Sequence, residues 1–189
     1  MSDAPSARRV VDLAPLRNNV GCALPGFDVP GGFDGFGRTY PAEDLVPMGN
    51  LIGGWPEEFG RGAPDNVECD GQRIDFAVPV QVRGLVLLGA GCGGRLIDEL
   101  TVVDAATGLG TQHTFGFPDF LALFGTDGDV CAATGSTLRE RGRAIDAPRP
   151  SIWSAEIRLG RPTPCSGLRL PVNPGLHLFG LWTTSETPT

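Results

Sequence analysis

Residues 33–45 hold the densest mix of groups able to do chemistry: Arg38, the single tyrosine Tyr40, and Glu43. Gly35, Gly37 and Pro41 interrupt the stretch, so neither a regular helix nor an interior strand is expected there. A ring, a guanidinium and a carboxylate on such a segment are the makings of a binding loop. Tyr40 and Arg38 are therefore expected to touch a ligand, and Glu43 to move a proton if the protein is an enzyme. Trp55 lies in the Gly53–Pro56 loop, where an indole face is free to stack on a flat or sugar ring. Asp65 and Asn66 follow Pro64; they would bond a polyhydroxyl ligand, hold a calcium ion with their oxygens, or cap their own turn. His113 alternates onto the face of Phe115 and Phe117 and is the second acid–base candidate. His177, inside an apolar run, is expected to be structural.

Composition narrows the chemistry further. All 15 basic residues are arginine, so no lysine exists for a Schiff base, a pyridoxal phosphate anchor or a Walker-type loop. Two histidines and five scattered cysteines without a C-x-x-C pair give no reason to expect zinc or another metal. No cofactor is implied. A net charge of −7 argues against nucleic acid as a partner, and the Arg139, Arg141, Arg143, Arg149 island is expected to be a solvated loop. No apolar run approaches membrane-spanning length, and the first residues lack an export signal's apolar region. Reduced thiols in the cytoplasm are the expectation.

Gly89-Ala90-Gly91-Cys92-Gly93-Gly94 matches G-x-G-x-x-G. A dinucleotide site would need a helix after the third glycine, yet the next strand begins within a few residues. The stretch is read as a glycine-rich loop between antiparallel strands.

The elements that must hold these groups are mostly strands. Period-two alternation marks Ile152–Leu159, Arg73–Pro79, Val82–Gly89, Glu99–Asp104, Thr111–Phe117, Leu168–Val172 and Leu176–Thr183. The last is apolar on both faces, so it is expected to be a central strand. Asp104–Gly108 reads as a hairpin loop and Asp127–Asp129 as another turn. Short helical turns are expected at Pro41–Leu45, Pro118–Phe124 and Thr137–Arg143. With 28 glycines, 17 prolines and 41% hydrophobic residues, the chain predicts an all-β antiparallel sandwich over residues 10–184. Residues 1–9 are expected to be a disordered lead-in and 185–189 a tail.

The order of these pieces carries a resemblance. Val11-Asp12-Leu13 leads to Asn18-Asn19, then Phe33-Asp34-Gly35 with Tyr40-Pro41-Ala42-Glu43. Next come Ala63-Pro64-Asp65-Asn66-Val67, Asp70-Gly71-Gln72, Leu85–Ala90, Phe117-Pro118-Asp119, and a closing Leu176-His177-Leu178-Phe179. This resembles the galactose-binding-like, carbohydrate-binding β-sandwich accessory modules of actinobacterial glycosidases, and the expectation is a stand-alone copy of such a module. The resemblance implies a jelly-roll sandwich that binds a carbohydrate or sugar-like metabolite. The alternative is a cofactor-free enzyme of specialised metabolism, such as a cyclase, isomerase or lyase, with Glu43 and His113 as its acid–base groups. Gene neighbourhood separates the two: sugar-handling genes favour binding, biosynthetic synthases favour catalysis.

Overall fold

Glycine and proline at this density stop helices from growing, and strands take most of the chain. The computed structural model describes residues 7–126 and 128–185. Its strands are β1 (Ala7–Val10), β2 (Cys22–Ala23), β3 (Arg38–Pro41), β4 (Val67–Asp70), β5 (Arg73–Gly91) and β6 (Leu96–Asp104). They continue as β7 (Gly110–Phe117), β8 (Val130–Thr134), β9 (Leu138–Glu140), β10 (Arg143–Ile145), β11 (Ser151–Arg169) and β12 (Val172–Ser185). Among the described residues, helical structure is limited to α1 (Ala42–Leu45), a 3-10 turn at Val46–Met48, α2 (Gly49–Ile52) and a 3-10 turn at Ala14–Leu16.

The main sheet runs β1-β12-β5-β11-β6-β7, with β4 on β12 and β8 on β11; a smaller sheet runs β10-β9-β3-β2. All pairs are antiparallel except β2 with β3. The long strands β5 and β11 cannot be straight. Arg169 pairs with Arg73 at one end of β5, and Leu176 pairs with Gly91 at the other. The link from Arg169 to Leu176 reaches at most about 25 Å, whereas nineteen straight residues would span about 60 Å. β5 therefore doubles back. The bend falls where the register with β11 jumps, between Arg158 and Thr163, opposite Gly84 and Val82. One layer thus contains Arg73–Val82 with Thr163–Arg169, β6 and β7. The other contains Gly84–Gly91 with Ser151–Arg158, β12, β1 and β4. This is an all-β sandwich.

Between the layers lie Val82, Leu85, Leu87, Leu100, Val102, Phe117, Ile157, Cys165, Leu168 and Leu178, all buried. β12 is the central strand that its two apolar faces predict, with Leu176 through Leu181 all buried. Glycine is required at 89, where β5 is crowded both by its sheet neighbour β12 and by the facing β7. A methyl there would stand 2.2 Å from the His177 carbonyl oxygen and 2.5 Å from the Phe117 ring.

Four expectations need correction. Ala7, Arg8 and Arg9 are not a loose lead-in; they pair with Ser185, Thr184 and Thr183 as an edge strand, and only residues 1–6 and 186–189 of the expected termini lie outside the described residues. Thr137–Arg143 is no helical turn. It is the β9–β10 hairpin, closed by Arg141 and Gly142 at φ 47° and 76°, the left-handed pair that matches strand twist. Pro118–Phe124 is an irregular turn organised by the Asp119 carboxylate, whose Oδ1 accepts the Leu121 amide at 2.8 Å. Leu168–Val172 straddles the break between β11 and β12, because Leu170 and Pro171 make the corner. Asp127 of the predicted Asp127–Asp129 turn is outside the described residues.

Candidate functional site

The loop leading into β3 is built around Asp34. Its buried carboxylate accepts the Phe36 amide at 2.9 Å and the Arg38 amide at 3.4 Å, and it pairs with the Arg38 guanidinium. Arg38 is thereby held 5.5 Å from the Phe120 ring. It stays about one-third exposed, and Phe36 at the loop tip is 72% exposed. Arg38 is the member of the predicted set that does sit on a rim.

Tyr40 does not. It is fully buried, and its hydroxyl donates to the Ser151 carbonyl at 2.9 Å. Its ring meets Phe33 and Phe179 edge-on at 5.1 and 5.5 Å. Burial, then the neighbouring Cys22, pushes the phenol well above its ordinary range. Tyr40 is a clamp between β3 and β11, out of reach of any ligand at the surface.

Asp65 and Asn66 are also core residues, each with no exposed surface. Asp65 accepts the amides of Gly21 (3.1 Å) and Cys22 (2.9 Å) and the Asn66 side-chain amide (2.8 Å). Asn66 Nδ2 further donates to Asn19 Oδ1 at 2.9 Å, and Asn66 Oδ1 lies 2.9 Å from His177 Nδ1. Because Asn66 Nδ2 is the donating end, His177 Nδ1–H donates to Oδ1. The imidazole packs on Phe33 at 4.2 Å. Burial lifts the Asp65 carboxyl to about 6 against its hydrogen bonds, and burial lowers His177 to about 4. This brace ties the Asn19–Cys22 segment to β12; the oxygens a ligand or calcium ion would use are already engaged. His177 is structural, as its apolar setting implies.

Glu43 forms a two-pronged pair with Arg139: Arg139 Nη1 donates to Oε2 at 3.0 Å and to the Ala23 carbonyl at 3.0 Å, and Nη2 pairs with Oε1. The Arg139 guanidinium is buried, so the supposed solvated arginine island supplies a core anchor instead. Glu43, fixed in this way, is a brace and not a free base. Trp55 donates its indole N–H to the Leu45 carbonyl at 2.9 Å and stacks on Phe59 at 4.1 Å. Trp55 is partly buried against the core, and what remains accessible is a flank of the α1–α2 segment.

The loop Gly89–Gly94 holds an anion of the protein's own. Asp119 Oδ2 accepts the Gly93 and Gly94 amides at 2.9 and 2.7 Å, the place where a phosphate would sit in a nucleotide loop. The strands it joins, β5 and β6, flank β11 on opposite sides and are not paired with one another.

His113 is the predicted residue that lines a cleft. A cavity of about 260 Å³ opens between the layers at the bend of β11, bounded by Val102, Asp104, Thr111, His113, Leu159, Gly160, Arg161 and Thr163. Thr111 and His113 lie opposite Val102 and Leu100 on the core-facing side of β7. The four residues 159–162, left out of register with β5, form the facing lip. Among the described residues, the Thr111 hydroxyl, the His113 ring and the Arg161 guanidinium have no hydrogen-bond partner. Asp104 Oδ1 is used by the hairpin, accepting the Ala106 and Thr107 amides, which lower its pKa, while Oδ2 is free. A smaller cleft of about 220 Å³ lies between β1 and the start of β5, where Arg9, Asp12, Asp75 and Thr183 stand among apolar residues; one Asp75 oxygen is engaged by Arg73.

The structure thus disperses the predicted set. Arg38 lies on one rim, His113 in the cleft, and Tyr40, Asp65, Asn66 and Glu43 serve the frame. Sequence reasoning missed Asp104, Arg161 and Thr163, which come together only through the bulge in β11. Comparison with family models and with curated proteins finds no match for this chain.

Proposed function

We propose that this β-sandwich binds a small polyhydroxylated molecule, a carbohydrate or sugar-like metabolite, in the cleft at the bend of β11. The supporting observation is the convergence of Thr111, His113, Arg161 and the free Asp104 oxygen on a floor of Val102 and Leu159. Donors and acceptors of different kinds suit hydroxyl groups, and the apolar floor suits the C–H face of a sugar ring. The size admits about one ring. The ligand class is the one implied by the resemblance to galactose-binding-like modules, with the site moved from the Tyr40 loop to β7 and β11. Five unpaired cysteines suit a reducing, cytoplasmic setting.

A second reading is favoured by His113 and Asp104 sharing the cleft. An imidazole and a carboxylate can pass a proton to and from a bound substrate, as a cofactor-free isomerase, cyclase or lyase requires. In that reading Glu43 plays no chemical part.

Calorimetric titration with a panel of monosaccharides and glycosides tests binding. His113→Ala and Arg161→Ala are expected to weaken the ligand that binds by about tenfold each, the worth of one good hydrogen bond to a charged or polar group. Glu43→Gln is expected to leave affinity unchanged. Unaltered affinity in both cleft variants would refute the site. Conversion of the ligand, lost in His113→Ala with affinity kept, would select the enzyme.

A further inference from the structure

The outer edge of β7 is open. At the hairpin Asp104 N donates to the Leu109 carbonyl at 2.9 Å, and antiparallel bonding alternates from there. Thr111, His113 and Phe115 therefore bond to β6, while the N–H and C=O groups of Gly110, Gln112, Thr114 and Gly116 point away from it. Residues 110–112 and 114 are exposed and His113 half-buried, and among the described residues β7 pairs with no strand besides β6. The eight register pairs with β6 contain no bulge. Sheet edges are usually blunted by charge, proline, bulges or shortness. The other edges here follow that rule: β1 carries Arg8 and Arg9, β4 carries Glu68 and Asp70, β10 carries Arg143, β2 is only two residues long, and β8 is interrupted by a register shift against β11. β7 has none of these devices.

We infer that the β7 edge pairs antiparallel with the β7 edge of a second copy of this chain, so that the sheet runs continuously through a two-fold dimer. The occupant follows from charge and symmetry. In a chain of net charge −7, Gly110–Phe117 carries no formal charge, so two copies approach there without like charges facing one another. An antiparallel edge is complementary to itself about a two-fold axis. With Gln112 opposite Gln112, Gly110 faces Thr114 on both sides of the axis, giving about six new backbone hydrogen bonds. Leu109, 70% exposed at the entrance to the strand, comes alongside the far end of the other copy's strand in that register. Pairing at this edge does not depend on the ligand proposal, although it sets the second copy beside the His113 cleft.

Sedimentation velocity of the full chain between about 1 and about 100 µM is expected to show a concentration-dependent dimer. Gln112→Pro removes an outward N–H and no bond to β6, so the monomer fold tolerates it and the dimer is lost. Thr114→Lys, which sets positive charge against the edge, is expected to abolish dimerisation as well and decides the matter if the proline variant does not fold. Hydrogen exchange at the Gln112 and Thr114 amides is expected to slow by about tenfold or more on concentration. A monomer throughout the range would overturn the inference. So would a dimer that persists in folded Gln112→Pro or Thr114→Lys protein.

Discussion

Asp65 is the buried group whose titration opposes that of its neighbour, and replacing it exposes the opposition. Its carboxyl is lifted from an ordinary 3.8 to about 6, and His177 is lowered from 6.5 to about 4. At about 1.4 kcal/mol per pH unit, each gap is worth roughly 3 kcal/mol. The signs differ. A carboxyl with a raised folded pKa contributes stability that is full below pH 3.8 and is lost as pH rises through about 6. An imidazole with a lowered folded pKa contributes stability that is full above pH 6.5 and is lost as pH falls through about 4. Between pH 6.5 and 4, Asp65 therefore gains about what His177 loses, and the pair leaves stability nearly level. Asp65→Asn removes the gain and keeps the loss. Urea unfolding of both proteins at half-unit intervals from pH 7 to pH 4 is the assay. The stability deficit of the variant is expected to grow by roughly 2–3 kcal/mol toward pH 4. An asparagine also misplaces one donor against the Gly21 or Cys22 amide, but that cost does not vary with pH. A deficit independent of pH, or one largest at pH 7 as for a carboxylate paired with a cation, would refute the reasoning.

Two further substitutions probe the frame. Tyr40→Phe removes the bond to the Ser151 carbonyl and is expected to cost about 1–2 kcal/mol while leaving ligand affinity untouched; a loss of affinity at unchanged stability would return Tyr40 to the binding site. Arg141→Asn replaces a residue held at φ 47° with one that tolerates the left-handed region. A gain of about 0.5–1 kcal/mol, or a few degrees in Tm, is expected, and an unchanged or lower Tm would contradict the strain assigned to that turn.

The strands were legible because burial on one face leaves a period-two trace, as in Trp153, Ala155, Ile157 and Leu159. β12 was legible for the complementary reason, since burial on both faces leaves an apolar run. The doubling of β5 left no such trace. It follows from where Arg169 and Leu176 pair, and pairing over that distance is not encoded in any short window. Asp65 and Asn66 looked like loop residues because short polar stretches usually meet water. Their partners, Gly21, Cys22, Asn19 and His177, are remote in sequence, so nothing local marks them as buried. Arg139 misled in the same way, its charge being matched by Glu43 ninety-six positions earlier. His113 was recoverable because alternation placed it on the inner face of β7, but Arg161 and Thr163 owe their position to the bulge.

The most direct test of the proposed site is a backbone amide NMR titration of the uniformly labelled protein with the sugar that binds tightest. Shift changes are expected to cluster at Thr111, His113, Leu159, Gly160, Arg161 and Thr163. Changes confined to Phe36 and Arg38, or to Trp55 and Phe59, with the β7 and β11 signals unmoved, would contradict the assignment.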